Sequence, residues 1–150
     1  MLDSNSAGTT LTLRRVFPAP RERVFRAWTD PAELKQWFHV QEGWSTPIAE
    51  VDLRVGGKYR IGMQPPNGDP HIVTGTYREI VIPRKLVYTW QLEGPEGLGP
   101  TVVTVEFYDQ GASTEIVLTQ EFFPDMKTGE EHSQGWDGCL QQLELLLKTG

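Results

Sequence analysis

From about residue 43 to 121 the chain leaves no room for a crossover between strands. GWSTPIAEVDL, KYRIGM, HIVTGTYREIVI, KLVYTWQL, TVVTVEFYD and STEIVLTQEF follow one another through Gly56-Gly57, PPNGDP, Pro83-Arg84, EGPEGLGP and Gln110-Gly111. Parallel neighbours need a connection of a dozen residues or more, whereas antiparallel neighbours need only a turn. Six successive strands joined in this way form an antiparallel meander. Residues 9–17, TTLTLRRVF, alternate apolar and polar side chains and supply a seventh strand.

A sheet with one apolar face must cover it, and the sequence offers one long element for the purpose. From about Met126 to Lys148, the residues His132, Trp136, Cys139, Leu140, Leu143 and Leu147 recur three or four apart, the stripe of a helix with one buried face. Such a helix is roughly 30 Å long and can cross a whole sheet. Two shorter helices precede the meander. Pro18 and Pro20 stop the first strand, after which Val24, Phe25 and Trp28 face away from Arg21, Glu22, Arg23 and Arg26. Asp30 then caps a second helix that has Pro31 at its first position and Leu34, Trp37 and Phe38 along its buried side. The expected fold is α+β: a curved seven-stranded antiparallel sheet around a long C-terminal helix, with two short helices between strands 1 and 2 closing one end. Residues 1–8 read as a tail and 9–150 as a single domain.

Alternation assigns the inward side chains as Tyr59, Ile61 and Met63; Val73, Gly75 and Tyr77; Leu86, Tyr88 and Trp90; Val103, Val105 and Phe107; and Thr114, Ile116, Leu118 and Gln120. A bulge would exchange inward for outward residues beyond it. These sets are rich in broad rings with a polar tip, which need partners when buried. A mixture of apolar surface and a few convergent polar groups is the make-up of a ligand pocket.

Charge and composition narrow the partners. Fourteen basic against 20 acidic side chains give a net charge of -6, which disfavours phosphate backbones, so nucleic acid is not expected. The lone Cys139, the polar start and the lack of any apolar run near membrane-spanning length point to a cytoplasmic protein with no membrane insertion. His39, His71, His132 and Cys139 show no metal-binding spacing, so neither a metal nor a cofactor is expected. Cys139 sits on the apolar stripe and reads as an inert buried thiol. Among His71, His132, Glu50, Asp52, Glu79 and Glu121 nothing selects an acid-base pair, and no catalytic residue is assigned. Gly135 and Gly138 weaken the last helix and so stand there for close packing or to leave room for a ligand, and close packing is the favoured reading.

The ordered motifs FPAPRERVFRAWTDPAELKQWF, DLRVGGKY, GTYREIVIPRKLVYTW, TVVTVEF and GWDGCLQQLELLL resemble the START-like, or SRPBCC, superfamily. More narrowly they are similar to its bacterial members related to the activator of the ninety-kilodalton heat-shock-protein ATPase, from about Leu11 to Leu147. The resemblance implies a helix-grip fold with a deep cavity between sheet and final helix. It implies function only broadly, since relatives carry lipids, hormones or other hydrophobic ligands and some cyclise or aromatise polyketides.

The residues favour a non-catalytic binder of a hydrophobic or aromatic small molecule. Trp37, Phe38 and Trp44 are expected near the mouth; Tyr59, Met63, His71, Tyr77, Trp90 and Trp136 along the wall; and His71, Gln120 and the Tyr hydroxyls as orienting groups. His132 is a further candidate contact. The alternatives are an enzyme in which His71 or His132 moves a proton on a bound carbonyl or polyketide-like compound, and a chaperone-associated stress-response partner. Homodimerisation through an edge strand stays open.

Overall fold

Seven strands form one antiparallel sheet: β1 (Thr9–Phe17), β2 (Ser45–Val51), β3 (Lys58–Gln64), β4 (His71–Val81), β5 (Lys85–Leu92), β6 (Thr101–Asp109) and β7 (Thr114–Phe123). Their spatial order is β1-β7-β6-β5-β4-β3-β2, so every neighbour in the meander is a neighbour in the sheet. Helices α1 (Arg21–Thr29) and α2 (Pro31–Trp37) carry the chain from one edge of the sheet to the other, and α3 (Met126–Thr149) ends it. This computed structural model describes residues 9–93 and 100–149. The segment 1–8, read above as a tail, and most of the loop EGPEGLGP lie outside the described residues.

The expected local chemistry is in place. Asp30 accepts from the Ala32 amide at 3.0 Å and Pro31 opens α2. α1 and α2 are clipped together by Glu33, which bridges Arg23 and Arg26, and by the Trp37 indole, which donates to the Ala27 carbonyl at 2.8 Å. Arg54 donates to Asp52 at 2.9 Å across the turn that ends at Gly57. At the far end of β7, Phe122 adopts φ 75°, in the left-handed region, where the register against β1 slips between Thr9 and Leu11. Such a backbone is uncommon for a bulky residue, and here it coincides with the irregularity in the ladder, beyond which Phe123 still pairs with Thr9.

The inward sets hold their side of the sheet. All sixteen residues assigned inward are buried except Gly75, which is half-buried. The register shift in β4 falls between Tyr77 and Glu79, beyond the inward residues of that strand, and so leaves them in phase.

α3 does not cover the sheet evenly. It packs on β1, β7 and α2, and Arg15 of β1 ties it down through Glu144 at 2.8 Å and Asp137 at 3.5 Å. Over β3, β4 and β5 the helix stands away from the strands. That unevenness places the site.

Candidate functional site

Two regions divide the interior. Toward α1 and α2, Tyr59, Tyr77 and Tyr88 form a mutually tilted trio with ring centroids 5.3–5.9 Å apart. With Trp28, Leu34, Phe38, Ile61 and Trp90 they enclose only about 10 Å³. This region is solid, as close-packed interiors are. The Tyr59 hydroxyl donates to the Thr89 carbonyl at 2.5 Å, and Tyr88 accepts from the Trp28 indole at 3.2 Å. Burial pushes the phenols of Tyr59, Tyr77 and Tyr88 well up from their ordinary values.

Under the N-terminal half of α3 the interior is hollow. A cavity of about 370 Å³ lies between α3, the strands β3 to β5 and the segment that links α2 to β2. α3 contributes Glu131, His132, Gly135, Trp136 and Cys139; the strands contribute Met63, His71, Trp90 and Leu92; the linking segment contributes Phe38, Val40 and Trp44. Trp44 and His71 stack at 5.6 Å, and His71 is exposed, which marks the rim. Deeper in, Trp136 packs against Trp90 at 5.0 Å and edge-on against Phe38 at 5.6 Å.

The polar groups around the hollow differ in how they are satisfied. Trp136 Nε1 donates to Gln120 Oε1 at 2.8 Å, Gln120 Nε2 donates to Thr101 Oγ1 at 2.8 Å, and that hydroxyl donates to the Trp90 carbonyl at 3.1 Å. Trp28 and Trp37 also place their indole N–H groups on named acceptors. Trp90 Nε1 is buried without a hydrogen-bond partner, although its ring forms part of the cavity wall. A buried donor left unpaired costs about 1–3 kcal/mol. His132 Nδ1 faces the Thr128 carbonyl at 3.0 Å. A carbonyl can only accept, so the neutral ring carries its proton on Nδ1 and keeps Nε2 as an acceptor. Burial lowers the His132 pKa against the smaller opposing pull of the Thr128 carbonyl and Glu131, which favours this neutral form. Burial pushes the Cys139 thiol far up, so it is no thiolate. Among the described residues no group of His, Cys, Asp or Glu is arranged to hold a metal ion.

Of the residues expected at the site, Phe38, Trp44, Met63, His71, Trp90, His132 and Trp136 come together around the hollow. Four do not. Trp37, expected at the mouth, is fully buried with its indole spent on Ala27. Tyr59 and Tyr77 belong to the solid region. Gln120, expected to orient a ligand, is fully buried and uses its amide to join Trp136 to Thr101. Val40, Leu92, Glu131, Gly135 and Cys139 were not anticipated as lining. The helical spacing of His132, Gly135, Trp136 and Cys139 carried a signal for two of them, since these four share one face. Nothing periodic marks Val40, which lies outside any helix or strand.

A long helix gripped by a curved antiparallel sheet, with an apolar hollow where the two part, defines a START-like helix-grip domain. The chain belongs to the family described as activator of Hsp90 ATPase homolog 1-like protein, whose match spans residues 18–148. A Chromobacterium violaceum protein of known structure is 32% identical, with a TM-score of 0.83 over 92% of this chain and 96% of that one. A Rhizobium leguminosarum protein is 29% identical, with a TM-score of 0.83 over 95% and 96% of the two chains. A Nitrosomonas europaea protein is 29% identical, with a TM-score of 0.80 over 93% and 94%. No curated protein matches the chain. Among the described residues no helix is long and apolar enough to cross a membrane.

Proposed function

We propose that this domain binds one small, largely apolar, aromatic molecule in the hollow between α3 and strands β3 to β5. The observation that carries the reading is the contrast within one interior. The end beneath α1 and α2 is filled to within about 10 Å³, while the adjoining space holds about 370 Å³. The second volume falls in the range of small-molecule sites. Its lining of Trp, Phe, Met and Leu side chains supplies ring faces for stacking and excludes water. The START-like fold commonly binds ligands, which agrees with this use of the space.

Native mass spectrometry of the protein purified from its own host tests the reading. A fraction carrying one noncovalent adduct, released on collisional activation, is the expected result. A bare mass throughout, together with no rise in Tm across a panel of aromatic compounds, would overturn it.

A further inference from the structure

Resting on that reading, we infer that the ligand is an aromatic amine taken up as its cation, with a flat apolar body inside the hollow and an ammonium group at the mouth beside the Glu131 carboxylate. The lining sets this polarity. Among the described residues that line the hollow, Glu131 is the one carboxylate, and no Lys or Arg side chain belongs to the set. Burial lowers the His132 pKa, and the Glu131 carboxylate is one of the two groups that oppose the shift, which places it at the cavity edge near that ring. The His132 ring is held neutral and adds no positive charge beside it. Deeper in, Phe38, Trp90 and Trp136 offer ring surface and no ion.

The surroundings carry the same sign. The three segments that flank the mouth, residues 38–44, 65–70 and 124–131, bring Glu42, Asp69, Asp125, Glu130 and Glu131 against Lys127. The positive N-terminal end of α3 is already spent on Asp125, whose carboxylate accepts from the Thr128 amide at 2.8 Å and the Thr128 hydroxyl at 2.7 Å. A cleft edged by one sign of charge concentrates ligands of the other. An anion would approach against this field and meet no counter-charge, and a neutral molecule would gain nothing from it. An ammonium gains from Glu131 and from the electron-rich faces of the indoles. By staying at the mouth it keeps the hydration that the apolar depth would strip away.

The test compares 2-naphthylmethylamine, 2-naphthylmethanol and 2-naphthoate by isothermal titration calorimetry at low salt and about pH 8, where an alkyl amine is still the ammonium. The three share one ring system and end in a cation, a neutral hydroxyl and an anion. Affinity falls in that order, and the amine binds about threefold to tenfold tighter than the alcohol, as a part-exposed ion pair with ring faces nearby provides. Glu131→Gln removes most of this advantage. Glu22→Gln, which takes the same charge from the exposed side of α1, keeps it.

The native protein gives an independent answer. Raising NaCl from about 0.02 to 0.5 M at least halves the ratio of amine to alcohol affinity, because salt screens a pair at the surface. If the alcohol binds but the amine binds no tighter, or the two Gln variants lose the amine's advantage equally, or salt leaves the ratio unchanged, this inference is overturned and the cavity reading stands. If none of the three compounds binds, both fall.

Discussion

The place where a β-carbon on Gly138 would sit is already taken by the carbonyl oxygen of Val40. Helix α3 and the segment that shapes the mouth of the cavity therefore touch backbone to backbone. One turn earlier, a β-carbon on Gly135 would meet only Val40 Cγ1, at 3.6 Å. The two glycines do different things: Gly138 closes the joint, and Gly135 keeps the hollow wide.

Alanine separates these roles. Gly138→Ala forces α3 off the Val40 segment and lowers stability by about 1–3 kcal/mol, as overpacking does. Gly135→Ala meets an ordinary contact and raises stability by up to about 1 kcal/mol through helix propensity. Urea unfolding of both variants checks the opposite signs.

Trp90 and Trp136 pack against each other at 5.0 Å, yet removing their indole nitrogens has unequal consequences. Trp136→Phe strands the buried Gln120 carbonyl, whereas Trp90→Phe breaks no hydrogen bond. Trp136→Phe is therefore the more destabilising by about 1–3 kcal/mol. Gln120→Leu, which leaves both Trp136 Nε1 and the Thr101 hydroxyl without their amide partner, destabilises by at least as much. Denaturation midpoints at constant slope give the comparison.

His39 and His132 are both held toward the neutral ring by burial, which lowers their pKa values from 6.5. Below that value the unfolded chain binds more protons than the folded one. Stability is accordingly complete above about pH 6.5 and declines as pH falls through it toward the lower folded values. Glu93 and Glu144, whose pKa values their basic partners hold below 4.5, add losses only at lower pH. Urea midpoints measured from about pH 7.5 to 5.5 show the decline, and replacing both histidines by Gln flattens it.

Cys139 lines the cavity but is buried and held as the thiol. In native protein it reacts with iodoacetamide far more slowly than a free thiol, and unfolding in urea restores the ordinary rate. Prompt alkylation of the folded protein would show that α3 opens readily along this face.

Much of the fold was legible because turn chemistry and periodicity are local. The Gly56-Gly57, PPNGDP and Gln110-Gly111 turns forced the meander, and alternation placed Met63, Trp90 and Leu118 on the inner face. The site was only half legible, because the division between solid and hollow is set by how far α3 stands from each strand. Tyr59 and Met63 lie on the same face of β3, yet Tyr59 packs among other tyrosines and Met63 lines the void. Alternation cannot separate them. Gln120 looked like an orienting group because its side chain faces inward, but its partners are distant in sequence: Thr101 meets it through the register of β6 and β7, and Trp136 through the way α3 lies on the sheet.

The central claim is that the space beneath α3 takes up a small aromatic molecule, and Gly135 gives direct access to it. Titration of native protein and of Gly135→Leu with 2-naphthol, both checked by circular dichroism for an unchanged fold, measures whether that volume is the binding site. The account predicts one site in the native protein and an affinity at least about tenfold lower once the leucine fills the hollow, since losing an apolar contact surface of this kind costs at least about 1.4 kcal/mol. Equal affinity in the two folded proteins would contradict it.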